Sequence, residues 1–212
     1  MAEMAAQIGH LSLREVAFPG SHVSASAMLA TMGDFSPDVR VWAGSVFRTD
    51  VWEEIVPSVL PWARTQRAGI REQLEAGIRY FDLRVWHNGG ETVVCHAVRG
   101  GPVTRVIDEL GAFLLGQGQE REVVVLDFHA LYDMTVEAHE KLVWHLFTVL
   151  GPLLVPRTRT PDTTLEELWQ AGQRVVVLYG EDSIVGATDL LWPRERIREA
   201  RPGARDAESL RR

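Results

Sequence analysis

At 212 residues the chain is the size of one domain, and its 46% apolar and 24% charged residues are those of a packed globular core rather than a disordered segment. A formal net charge of −7 argues against nucleic acid held by bulk electrostatics. One cysteine excludes an internal disulfide or a thiolate metal site, and no apolar run reaches the ~18 residues of a membrane span.

The periodic segments alternate along the chain. Leu13 to Phe18 reads as a short strand stopped by Pro19-Gly20. Ser21 to about Arg67 is irregular and rich in aromatics. Ile70 to Ala76 has helical character and is closed by Gly77, a good residue for a left-handed C-terminal cap. Arg79 to Trp86 alternates as a strand, and Asn88-Gly89-Gly90 turns it into a second strand, Glu91 to Ala97. Thr104 can cap a helix carrying Val106, Ile107, Leu110 and Phe113. Glu122 to Phe128 is an almost continuous apolar run, as in a strand covered on both faces. Glu137 to Leu150 follows as a helix, with His139 and His145 expected to face solvent. Thr164 with Glu167 marks a capping-box start of a helix ending near Gly172. Arg174 to Tyr179 is a fifth buried strand. This order describes α/β architecture with a largely parallel sheet. Beyond Trp192-Pro193 the last 20 residues hold seven arginines and four acids, and residues 194–212 read as a frayed, arginine-rich tail. Domain boundaries are therefore 12–193 and 194–212.

In parallel α/β folds ligands bind at the C-terminal ends of strands. Four expected strands deliver titratable groups there: His22, Asp82 with Arg84, His96, and Asp127 with His129. Asp82 and Arg84 are two apart on a strand and so share a face. Two histidines and an arginine suit phosphodiester chemistry, with one imidazole as base, one as acid, and a guanidinium on the phosphoryl oxygens.

At these residues the chain resembles a known family. Phe18-Pro19-Gly20-Ser21-His22 is similar to the signature opening the X domain of phosphatidylinositol-specific phospholipase C (PI-PLC). Gln73 to Arg84 (QLEAGIRYFDLR) is similar to that family's second block. Glu122 to Met134, His139 to Leu142, and Thr164 to Trp169 through Tyr179 resemble the small X-domain-containing proteins. The resemblance implies a TIM-like (β/α) barrel, here expected to be incomplete at about five strands. It implies cleavage of a phosphoinositide-like lipid, with His22 as general base, His96 as general acid, Arg84 on the phosphate and Asp82 supporting it. Asp127 and His129 are expected to bind substrate. A guanidinium at the family's cation position implies no metal and no other cofactor.

The chain departs from the family at Val23, where an aspartate usually helps orient the second histidine. It also ends before the C-terminal aspartate that partners the first. These departures define the alternative: a truncated, inactive X domain that binds a lipid headgroup or regulates a partner. The expected partner is thus a phosphoinositide-type headgroup, with peripheral membrane contact and no nucleic acid. Trp42, Phe47, Trp52 and Trp62 form either a membrane-touching rim or loop packing, and the acidic charge favours packing. Without a basic, then apolar, N-terminal stretch no signal peptide is expected, and the location is cytoplasmic. Cys95 is expected to be a buried, inert thiol.

Overall fold

The computed structural model describes residues 1–30, 34–39 and 52–197. In chain order its main elements are α1 (Ala5–Ile8), β1 (Gly20–Ser21), α2 (Trp52–Ala63), α3 (Ile70–Glu75), β2 (Tyr80–Asn88) and β3 (Glu91–His96). They continue with β4 (Val98–Pro102), α4 (Val103–Leu114), β5 (Val124–Tyr132), α5 (Val136–Leu150), α6 (Leu165–Gln170), β6 (Val175–Tyr179), α7 (Asp182–Gly186) and β7 (Trp192–Pro193).

The strands form one seven-stranded sheet in the order β4-β3-β2-β5-β6-β7, with β1 also on β2. β1, β2, β5, β6 and β7 run parallel, and the sheet holds seven strands rather than the roughly five expected. β3 and β4 extend the parallel set as an antiparallel hairpin. β1 and β3 share one edge of β2: β1 pairs with Tyr80 and Phe81, β3 with Val85 to Asn88. Among the described strands β4 and β7 do not meet, which leaves the sheet open.

Strand periodicity divides the side chains between two faces. Phe81, Leu83, Leu126, Phe128 and Val177 pack outward under Val106, Ile107 and Leu110 of α4 and Leu142, Leu146 and Leu150 of α5. Val125, Val176, Leu178 and Trp192 face the other way, against Leu13 and against Leu165 and Leu168 of α6. Burial on both faces is why β5 and β6 read as unbroken apolar runs, and each such side chain contributes about 1.5–3 kcal/mol. On this second, inner face Tyr80, Asp82 and Arg84 take the alternate positions of β2.

Local signals place the ends. Gly77, at φ 94°, closes α3, with its N–H on the Leu74 carbonyl and that of Ile78 on Gln73, the Schellman pattern. Gly89 and Gly90 both have positive φ (62° and 87°), as a tight two-residue hairpin turn requires. Thr164 and Glu167 form the expected reciprocal cap on α6.

Several expectations change. Leu13 to Phe18 is not a strand: the Leu13 N–H bonds to Thr163, and those of Glu15 and Val16 turn back to Ser12. The strand lies at Gly20–Ser21, and the Pro19 carbonyl accepts from Arg79 and Tyr80. Thr104 does not cap α4, which starts at Val103 after Pro102. The region read as irregular contains α2, whose Pro57 and Pro61 lack the donors a helix uses. His139 does not face solvent: it is 7% exposed and its Nδ1 lies 2.7 Å from the Tyr179 hydroxyl. His145 stays at the surface beside Asp108. Cys95 is buried as expected, and burial pushes its thiol up. The folded chain also runs past residue 193. Arg194–Arg196 form a helical turn, and Arg196 lies over the Trp192 ring, 5.0 Å from its centre. Residues 198–212, most of the expected tail, fall outside those described.

Candidate active site

His22 follows the end of β1, His96 ends the antiparallel β3, and Asp82, the third residue of β2, sits at the centre of the group. Its Oδ2 lies 3.1 Å from His22 Nδ1, accepts from the Val23 N–H at 3.0 Å, and lies 3.7 Å from Arg84 Nη2. The two motif blocks therefore meet physically. Gln73, buried on α3, adds a second tie: it hydrogen-bonds the Ser21 side chain and donates to the Ser24 carbonyl, fixing the loop that carries His22.

Val23, which follows His22, is buried and adopts φ 45°. A β-branched residue in the left-handed region costs about 1–2 kcal/mol, and it persists only where its surroundings dictate it. Here the bond to Asp82 and a packed side chain do so. Ala97, which follows His96, is also left-handed at φ 62°.

The His22 and His96 rings are 6.3 Å apart, centre to centre, and inclined at 79°. Neither Asp82 nor Asp127 takes the place of the family's aspartate beside His96: the main-chain carbonyl of Ala63 lies 2.8 Å from its Nδ1. Asp82 instead serves His22, so the carboxylate beside the first histidine comes from β2. Partial burial lowers the His22 pKa; Asp82 opposes this, while Arg84, His96 and His129 add to it. A base held below its ordinary value stays unprotonated at neutral pH.

Two polar atoms at the centre, Asp82 Oδ1 and Arg84 Nε, are buried with no hydrogen-bond partner among the described residues. Leaving such a group unpaired costs about 1–3 kcal/mol, so these atoms are natural contacts for a polar ligand. Among the described residues no three of His, Cys, Asp and Glu are arranged to hold a metal ion.

Asp127, the register neighbour of Asp82 on β5, is engaged by other residues. It is fully buried, and Arg194 engages both its oxygens, Nε at 2.6 Å and Nη2 at 2.9 Å, while the Tyr80 hydroxyl donates at 2.8 Å. Direct contact between Asp127 and a substrate, as expected, is not what this geometry offers; its part is to anchor Arg194. His129 fits better. The β2–β5 register slips so that His129 is the extra residue of a bulge, and its ring is exposed with Nδ1 3.0 Å from Arg194 Nη2. Sequence reasoning missed Arg194, which lay in the expected tail, and Tyr80, which the two-residue period from Asp82 could have found.

Trp62 is 86% exposed on α2, next to Ala63, against the expectation that it packs inward. Trp42, Phe47 and the Trp52 side chain lie outside what is described.

No protein-family model matches the chain. It is 32% identical over 201 residues to PI-PLC X domain-containing protein 2 of Mus musculus, covering 93% of this chain and 57% of that protein. Against PI-PLC X domain-containing protein 3 of Mus musculus it is 31% identical over 217 residues, covering 99% of the chain and 65% of the relative. The chain is a homologue of the PI-PLC X domain-containing proteins. It spans somewhat under two-thirds of the length of these X-domain relatives. Among solved structures, PI-PLC of S. aureus superposes with TM-score 0.55 at 21% identity, over 82% of this chain and 51% of that one. PI-PLC of Listeria monocytogenes gives TM-score 0.55 at 21% identity, over 85% and 56%. The fold is the TIM-like α/β architecture of PI-PLC.

Proposed function

We propose that this X-domain homologue is a phosphoric diester hydrolase/lyase that cleaves a phosphoinositide-like lipid without a metal. The observation that carries the proposal is the joint placement of His22, Asp82, Arg84 and His96, with the two imidazoles 6.3 Å apart. His22, with Nδ1 turned to Asp82, has Nε2 left to take the proton of the inositol 2-hydroxyl. That oxygen attacks phosphorus, the bond from phosphorus to the diacylglycerol oxygen breaks, and His96 gives the leaving oxygen a proton. The products are a cyclic inositol phosphate and diacylglycerol, and each proton transfer is worth about 10²–10⁴-fold. The Arg84 guanidinium, with a buried N–H to spare, stabilises the charge gathered on the phosphoryl oxygens. His129, at the rim, contacts the headgroup.

The protein reaches its substrate as a cytoplasmic, peripheral membrane protein. Among the described residues no helix is long and apolar enough to cross a membrane. The exposed Trp62 beside the site is the side chain that enters the lipid interface. The structure from S. aureus is itself titled for the modulation of membrane binding in its PI-PLC.

The test incubates the purified protein with phosphatidylinositol vesicles in EDTA and looks for cyclic inositol phosphate, with His22→Ala as control. Product from the wild type alone is expected. No product at high protein concentration refutes the proposal, and headgroup binding without turnover then supports an inactive binder. Product that requires added metal refutes the role given to Arg84.

A further inference from the structure

His22, which follows β1, and His96, which ends β3, are both held from one short segment, Ala63 on the second and Thr65 with Gln66 on the first. α2 ends at Ala63, and its last turn leaves main-chain carbonyls without partners inside the helix. The Ala63 carbonyl lies 2.8 Å from His96 Nδ1. Two residues on, Thr65 Oγ1 donates to the His22 carbonyl at 2.6 Å, and Gln66 Nε2 donates to the same oxygen at 3.1 Å. Ser26, fully buried, completes the corner: the Gln66 N–H donates to Ser26 Oγ at 2.8 Å, and Ser26 Oγ lies 3.0 Å from Thr65 Oγ1. With Ser26 donating to Thr65 and Thr65 to His22, each hydroxyl gives one hydrogen bond and receives one.

We infer that the Ala63–Gln66 corner is the positioning element of the acid–base pair, doing through main-chain and side-chain hydrogen bonds what a carboxylate after His22 does elsewhere in the family. The Val23 side chain cannot accept a hydrogen bond, and nothing in this arrangement asks it to. A carbonyl accepts from Nδ1–H whether the imidazole is neutral or charged. The His96 ring therefore keeps one orientation through a proton-transfer cycle, with Nε2 as its exchanging atom. Thr65 and Gln66 act further back, on the backbone of His22, and hold the left-handed step at Val23 that points the ring at Asp82. The corner also joins the site to the surface, since the exposed Trp62 is the residue before Ala63.

The inference rests on the acid–base reading of His22 and His96, yet its first test needs no turnover. Long-range ¹H–¹⁵N correlation spectra of the labelled protein report the tautomer of each neutral histidine. His96 is expected as Nδ1–H with Nε2 bare, the reverse of the preference of a free histidine side chain; an Nε2–H tautomer overturns the inference. The second test compares Thr65→Val, which keeps shape and loses the donor, with Thr65→Ser, which keeps the donor. Thr65→Val is expected to shift the His22 ring resonances and lower kcat by about tenfold with little change in KM, and Thr65→Ser to restore both. A folded Thr65→Val whose His22 titration and kcat match the wild type overturns the inference. Should Thr65→Val fail to fold, Gln66→Ala removes the other donor to the same carbonyl and is read by the same two measurements. A wild type without turnover refutes the proposed function, while the tautomer and the His22 spectra still decide the positioning role.

Discussion

Replacing Arg194 by Met removes the cation from a carboxylate with no access to water. The Asp127 side chain is 1% exposed and that of Arg194 26%, and the pair is joined by two charge-assisted hydrogen bonds of 2.6 and 2.9 Å. Removing one partner of a buried ion pair costs about 3–5 kcal/mol, because the remaining charge keeps its desolvation penalty. Tyr80 still donates to Asp127, and the open side of Arg194 lets water approach, which places the expected loss near the lower limit, about 3 kcal/mol. For a domain of this size that is a fall in Tm of about 6–12 °C. Urea unfolding of wild type and Arg194→Met, followed by far-ultraviolet circular dichroism, measures it. Adding Asp127→Asn removes the stranded charge, so the double variant is expected to recover part of the loss. A loss below about 0.5 kcal/mol, the range of ordinary surface substitutions, refutes the buried pair and with it the continuation of the fold past residue 193.

Stability is also expected to depend on pH through His139. Burial lowers its pKa in the folded protein, so below about 6.5, the ordinary value, the unfolded chain binds the extra proton. Its contribution is complete above that pH and is lost as the pH falls; denaturation at pH 7.5 and 5.0 should show a smaller drop for His139→Gln than for the wild type. Gly77→Ala forces a side chain into φ 94° and is expected to cost about 1–2 kcal/mol by urea unfolding, although a Cβ there meets no neighbour. Trp62→Ala should leave Tm within about a degree, as befits an exposed position, and weaken sedimentation with anionic vesicles. Unchanged vesicle binding removes Trp62 from the lipid interface.

What could be read in the chain beforehand has a physical pattern. Asp82 and Arg84 sat in a strand with clear alternation, His22 followed the Pro19-Gly20 turn signal and His96 closed a second strand, so their nearness was legible. Gly77 and the Thr164–Glu167 cap carry their conformation in their residue type. The two-residue strands β1 and β7 are too short to show a period, and β4 (Val98–Pro102) holds two glycines and a proline that no propensity assigns to a sheet. β4 forms because Ala97 turns left-handed and folds the chain back on β3. α2 was hidden by Pro57 and Pro61, whose cost is met by packing of Val56 and Leu60 against Leu29, Phe35 and Val98. Arg194 and the Ala63 carbonyl were beyond reach for another reason: each meets its partner across tens of residues, and a main-chain carbonyl has no side-chain signature.

The most direct measurement is ³¹P NMR of phosphatidylinositol in detergent micelles, mixed with stoichiometric protein in EDTA and followed in time. Intramolecular attack driven by His22 and completed by His96 predicts that a five-membered cyclic phosphodiester resonance appears first, with any monoester following it. The signal should be absent for both His22→Ala and His96→Ala. A monoester formed without the cyclic species, or cyclic product that persists in either histidine variant, would contradict the assignment of this site.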